Sequence, residues 1–89
     1  MKRSIASYEL HAIEGLRDDA IYAAHRSAAN RTQAMYRASK TWGRTTRETR
    51  LLLACDRITQ ERSRHEMEAN QQYWQAVDRI MRRSGERQP

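Results

Sequence analysis

The chain of 89 residues has few of the residues that interrupt helices or link segments covalently. It contains three glycines, one cysteine, no phenylalanine and a single proline, which is the last residue. One cysteine cannot form a disulfide within the chain, which is typical of proteins kept in a reducing compartment. Disordered basic segments are usually richer in proline and glycine and poorer in large apolar residues. The composition therefore favours an ordered, helical protein.

Long apolar runs are also absent from the sequence. The basic start of the chain is followed by Glu9 and His11 before any apolar stretch of signal-peptide length develops. No segment approaches the roughly 18 apolar residues of a membrane-spanning helix. We therefore expect a cytoplasmic protein that has no membrane partner.

Positive charge is in excess, and it is concentrated in the middle of the chain. Lysine and arginine total 17 against 11 acidic residues, which gives a net charge of +6. Residues 26–64 contain ten basic and three acidic residues, whereas residues 1–25 have a net charge of −1 and residues 65–89 are neutral. Such an excess favours a polyanionic partner, namely nucleic acid or an acidic protein surface.

The segment around Gly43 predicts a turn between two long helices. Gly43 suits the left-handed position after a helix end, and Thr45 with Glu48 matches a capping box that opens a second helix. We predict helices over about 4–41 and 46–83 in one domain, 1–89, with 84–89 as a flexible tail. A short connection makes neighbouring helices antiparallel, so the predicted fold class is an all-α helical hairpin.

Both predicted helices carry apolar or small residues at alternating spacings of three and four, which is the pattern of a coiled coil. The predicted seam of the second helix consists of Leu51, Cys55, Ile58, Arg62, His65, Ala69, Tyr73, Ala76 and Ile80. The predicted seam of the first consists of Ile13, Leu16, Ala20, Ala23, Ser27, Asn30, Ala34 and Ala38. The polar residues in these seams are expected to fix the register.

A second apolar stripe runs at seven-residue spacing on the other side of each helix. It includes Leu10, Ile21, Ala28, Met35 and Trp42 in the first helix, and Leu53, Met67, Trp74 and Met81 in the second. A hairpin that uses only the first seam would leave this stripe in water, so another surface should cover it. The candidates are a second copy that completes a four-helix bundle, a piece of helix 1 broken off near Asn30, or a foreign protein. The predicted interface residues are Ile21, Met35, Leu53, Met67, Trp74 and Met81.

The hairpin tip is the predicted binding site for nucleic acid or for an acidic partner. Its candidate residues are Arg26, Arg37, Lys40, Trp42, Arg44, Arg47, Arg50, Arg57 and Arg64. Arginine forms paired hydrogen bonds with phosphate and stacks on bases, and no motif for sequence-specific reading is present. The sequence thus predicts a homodimeric regulatory protein that contacts the backbone of nucleic acid or of a nucleoprotein complex. The alternative is a protein-binding inhibitor or adaptor, of the kind that phages encode as anti-CRISPR proteins, which docks its stripe and arginines on an acidic partner.

Catalytic and metal-binding patterns are missing. His11, His25, His65 and Cys55 are not at ligand spacing, and Cys55 falls on an apolar seam where a buried thiol is ordinary. There is no glycine-rich phosphate loop, and a rod offers no concave pocket for a small-molecule substrate. We expect no enzyme activity, no cofactor and no metal.

Overall fold

The protein is an antiparallel hairpin of two long helices. The computed structural model describes residues 5–86, with side chains through residue 85; α1 spans Ile5–Ser39 and α2 spans Arg44–Glu86. The rod measures 70 × 20 × 12 Å, and the described part of the chain contains no strand. The predicted all-α helical hairpin is thereby confirmed.

Helix α1 is unbroken through Asn30, where the sequence left open a break. The helix-propensity dip in this segment is a few tenths of a kcal/mol per residue, too small to interrupt a helix that packs along its length. The Thr32 hydroxyl donates to the Ala28 carbonyl at 2.9 Å within the helix, which satisfies the side chain without disturbing the backbone. A four-helix bundle made by breaking helix 1 is therefore excluded.

Helix α2 continues past the predicted end at residue 83. Ser84, Gly85 and Glu86 form its last turn, and the remaining residues of the predicted tail, 87–89, lie outside the described part. A glycine in a helix costs about 1 kcal/mol relative to alanine, which weakens a helix end without ending it. The predicted start of the first helix, residue 4, also lies outside the described residues.

Four side-chain contacts along the rod mark the register between the helices. From the open end to the tip they are Glu9 with Arg83, Arg17 with Tyr73, His25 with Glu66, and Arg31 with Glu61. Two are ion pairs between arginine and glutamate, one joins a histidine to a glutamate, and in the other the Arg17 guanidinium lies 4.1 Å from the Tyr73 ring centroid. None of the four involves the polar seam residues that were expected to fix the register, namely Ser27, Asn30, Arg62 and His65.

The helices pack through an eleven-residue repeat, not the predicted seven-residue one. On α1, the buried and half-buried positions follow steps of three, four and four: Leu10, Ile13, Arg17, Ile21, Ala24, Ala28, Thr32, Met35 and Ser39. The same steps recur on α2 along Cys55, Ile58, Arg62, Glu66, Ala69, Tyr73, Val77, Ile80 and Ser84. Eleven residues in three turns is close to the period of a straight helix, so the hairpin needs little supercoiling.

The predicted seam of α1 is wrong over most of its length. Only Ile13 faces α2, and the others are exposed: Leu16, Ala20, Ala23, Ser27, Asn30, Ala34 and Ala38. The larger side chains of the other stripe, among them Ile21 and Met35, face α2 in their place. They remove more apolar surface from water than alanines do, and this decides which side of α1 packs.

The core of the hairpin is very small. Ile58 and Ile80 are the buried apolar side chains of the described residues, at 4% and 7% exposure, and Ser39 is fully buried at the tip. Two antiparallel helices enclose only a single line of side chains, and much of this line consists of alanine or polar residues. No helix in the described part is long and apolar enough to cross a membrane.

Candidate polyanion-binding site at the hairpin tip

The turn between the helices is tight and held by backbone hydrogen bonds. The amides of Lys40, Thr41 and Trp42 donate to carbonyls three residues earlier, which narrows the last turn of α1. The Ser39 hydroxyl donates to the Tyr36 carbonyl at 2.7 Å, so this fully buried side chain is satisfied. The tip is therefore an ordered platform for the side chains it carries.

Gly43 opens α2 through its carbonyl. The Gly43 oxygen accepts from the Arg47 amide at 3.0 Å, from the Thr46 amide at 3.3 Å and from the Thr46 hydroxyl at 3.3 Å. No residue in the described part has a positive φ, so the predicted left-handed conformation of Gly43 is wrong. The predicted capping box is absent as well, because Thr45 already lies within α2.

Five basic side chains surround this turn. Arg37 and Lys40 come from the end of α1, and Arg44, Arg47 and Arg50 come from the first turns of α2. All five are exposed, and within the described part of the chain none has a carboxylate at ion-pair distance. We call these five residues the tip cluster.

Trp42 contacts one arginine of the tip cluster. The Arg50 guanidinium carbon lies 4.3 Å from the centroid of the half-buried Trp42 ring, which is a cation–π contact. Such a contact holds the guanidinium in place while leaving its N–H groups directed toward solvent. The sequence placed both residues in the site but did not indicate that they touch, since the turn between them brings them together.

Arginines outside the tip cluster are mostly neutralised. Ion pairs join Arg17 with Asp18, Arg31 with Glu61, Arg62 with Glu66, Arg64 with Glu68, Arg82 with Asp78, and Arg83 with Glu9. The ion pair between Arg31 and Glu61 also changes a pKa. The hydrogen bond from Arg31, aided by the charges of Arg64 and Arg57, lowers the pKa of Glu61 below its ordinary value.

The structure therefore brings only some of the predicted site residues together at the tip. Arg57 and Arg64, seven residues apart, lie on one edge of α2, and with Gln60 and Glu61 they line a shallow groove whose acid offsets their charge. Arg26 is exposed and makes no ion pair within the described residues, but it lies eleven residues before Arg37, about 16 Å along α1. The densest positive charge is confined to residues 37–50, where five cations accompany a single acid, Glu48.

The predicted interface residues are half-buried on one helix and exposed on the other. Ile21 and Met35 are half-buried on the inner face of α1. On α2, by contrast, Leu53, Met67, Trp74 and Met81 are 56–71% exposed. The apolar stripe is thus internal on one helix and open on the other.

His25 and His65 contact acids and not each other. His25 contacts Glu66 across the hairpin, and His65 Nδ1 lies 3.8 Å from Glu68 on the same helix. Among the described residues no group of three possible metal ligands occurs. Cys55 is a half-buried free thiol on the inner face of α2.

Comparison with known proteins gives no match: no family model, curated protein or solved structure resembles this chain significantly. The chemistry open to the site therefore follows from its own geometry. Five exposed cations around one ordered turn form a convex, positively charged end. Such a surface can bind a row of phosphates or carboxylates, but it offers no enclosed volume for a small substrate.

Proposed function

We propose that this protein is a non-enzymatic polyanion-binding protein whose tip cluster contacts the phosphate backbone of nucleic acid, free or within a nucleoprotein complex. One observation carries the proposal: the arginines of the arms and the middle of the rod are mostly paired with acids, whereas the five cations of the tip are not. A surface that serves only solubility has no reason to collect its unpaired charges at one end.

The residue types fit phosphate better than carboxylate. Four of the five cations are arginines, whose planar groups donate two parallel hydrogen bonds to one phosphate. The first amides of α2 lie at the same end, where the helix dipole also favours an anion. Arg50, held against Trp42, needs little ordering when it binds, which reduces the entropic cost of association.

Binding of this type does not depend on base sequence. No helix of the hairpin presents a known base-reading arrangement, and contacts to phosphates position a protein without carrying sequence information. We therefore expect similar affinities for duplexes of different sequence, and a weaker but measurable affinity for single strands.

The proposal is tested by fluorescence anisotropy with a labelled mixed-sequence duplex and with the corresponding single strand. The double variant Arg44→Gln/Arg47→Gln should bind both more weakly than the native protein. The matched control Arg26→Gln/Arg64→Gln removes the same charge from the middle of the rod and should bind nearly as well as the native protein.

Two results would contradict this function. Equal losses for the two double variants would mean that net charge, and not the tip cluster, governs binding. Displacement of the duplex by polyglutamate at an equal concentration of charge would instead point to an acidic protein surface as the ligand, which is the inhibitor or adaptor alternative.

A further inference from the structure

One side of the hairpin exposes large apolar side chains along most of its length. They are Tyr22 and Tyr36 on α1 and Leu52, Met67, Trp74 and Met81 on α2, all between 53% and 71% exposed. The helical period places them on the side that also carries the His25–Glu66 pair, and we call this side the exposed apolar face. Several large apolar side chains exposed on one side of a protein usually mark an interaction site.

The hairpin alone leaves far more surface in water than a compact chain of its size. A compact monomer of 10.5 kDa exposes about 5,400 Å² by the usual scaling of area with mass. This chain exposes 7667 Å². The excess of about 2,300 Å², together with a core of only two buried apolar side chains, indicates that a large part of the stable fold lies in an interface.

A second copy of the chain supplies the area that a stable interface requires. The broad side of the rod measures 70 × 20 Å, so full face-to-face overlap covers about 1,400 Å² on each protomer, by the product of these lengths. The total of about 2,800 Å² lies within the 2,000–5,000 Å² range of permanent dimers. Overlap of only half the rod would fall well short of that range.

Repulsion between the two tip clusters distinguishes the parallel from the antiparallel arrangement of two overlapping rods. If both tips point the same way, two tip clusters lie side by side, about 10 Å apart as packed helices are, which is close to the roughly 8 Å screening length of physiological salt, so their repulsion is only partly screened. If the tips point in opposite directions, the clusters are separated by nearly the 70 Å length of the rod. The basic half of each copy, residues 26–64, then lies against the arms of the other, whose net charge is close to zero.

We propose that the protein is an antiparallel homodimer joined through the exposed apolar face, a four-helix bundle with one tip cluster at each end. Taken with the proposed function, on which this last step rests, the arrangement gives a dimer two phosphate-binding ends that face opposite directions. One dimer would then join two nucleic-acid molecules.

The first experiment measures mass by sedimentation equilibrium without nucleic acid. The native protein should have twice the mass of one chain, and its melting temperature should rise with protein concentration, as dimer dissociation requires. Met67→Ser/Trp74→Ser should shift the mass to that of a monomer. The control Leu16→Ser changes a residue that is 68% exposed on the opposite side of the rod and should leave the dimer intact.

The second experiment measures orientation and does not depend on how well the interface variants fold. In a Cys55→Ala background, Thr41→Cys places one spin label at each tip, and the distance between labels is read by pulsed electron paramagnetic resonance. Antiparallel dimers give a distance close to the 70 Å rod length, whereas parallel dimers give about 20 Å, since packed helices lie about 10 Å apart.

A monomeric native protein at 100 µM, a short distance between the labels, or a Leu16→Ser variant as disrupted as the Met67/Trp74 variant would each overturn the proposal. The two proposals fail separately. A dimer that does not bind nucleic acid refutes the proposed function alone, and a monomer that binds nucleic acid through its tip refutes the dimer alone.

Discussion

The salt dependence of binding counts the cations that contact phosphates. For duplex DNA the logarithm of the affinity falls with the logarithm of salt concentration with a slope of about −0.9 per contact. If all five cations of the tip cluster contact phosphates, the slope is about −4.5, and affinity falls about 500-fold between 50 and 200 mM salt. Anisotropy titrations at four or five salt concentrations in this range give the slope directly.

Removing two cations from the tip cluster should change the slope by a set amount. Arg44→Gln/Arg47→Gln leaves three cations, so we expect a slope of about −2.7 and a loss of about 40-fold over the same range. Arg26→Gln/Arg64→Gln should keep the native slope. Both tip substitutions remove positive charge from the N-terminal end of α2, where it is unfavourable, so weaker binding cannot be ascribed to a less stable helix.

Two outcomes would refute this reasoning. A native slope shallower than about −1 would mean that at most one cation contacts phosphate and that the tip is not an electrostatic binding site. A slope that falls by the same amount in both double variants would mean that binding is spread over the rod. In that case the unpaired state of the tip cations would carry no functional meaning.

Three further predictions concern stability, measured by urea unfolding followed by circular dichroism. Gly43→Ala should change the free energy of unfolding by less than about 1 kcal/mol, because φ is not positive and the added methyl meets only the Thr46 hydroxyl, at an ordinary contact distance of 3.9 Å; a larger loss would contradict the observed turn. Ile58→Ala should cost about 2–5 kcal/mol and the exposed Leu53→Ala less than about 0.5, and similar losses would show that the inner face is wrongly placed. Because Arg31 lowers the pKa of Glu61, their pair stabilises the hairpin above the unfolded-state pKa, and this contribution disappears as pH falls through the folded-state pKa. Glu61→Gln should therefore lose less stability on acidification than the native protein, and an unchanged pH profile would show that the pair contributes nothing.

The fold class followed from the sequence because its signals are local. Breakers are nearly absent outside the segment at Gly43, so two long helices and one short turn were the simplest arrangement. The gathering of cations at the tip was also predictable, since a turn in the middle of a basic segment must bring the flanking cations together. The backbone conformation of that turn could not be predicted from the sequence. Gly43 can cap a helix end or open a new helix with ordinary φ, and only the backbone path distinguishes the two.

The packing face of α1 shows where sequence reasoning fails. This helix is apolar on two sides, and a seven-residue and an eleven-residue repeat differ by only about 5° per residue, so over a few turns both repeats fit the same sequence. The heptad interpretation selected the alanine side. In the structure the side with Ile21 and Met35 packs, because larger side chains bury more surface against α2.

The sequence by itself determined that this protein is helical, that it turns once near Gly43 and that its positive charge gathers around that turn, because each of these properties depends on neighbouring residues. The tertiary structure alone decided which acids the arginines meet across the hairpin. Ion pairs such as Arg31–Glu61 and Glu9–Arg83 join residues far apart in the chain, and their partners are set by the register of the two helices. The turn brought Arg50 against Trp42, and the packing of α1 on α2 left the other apolar face of the hairpin uncovered.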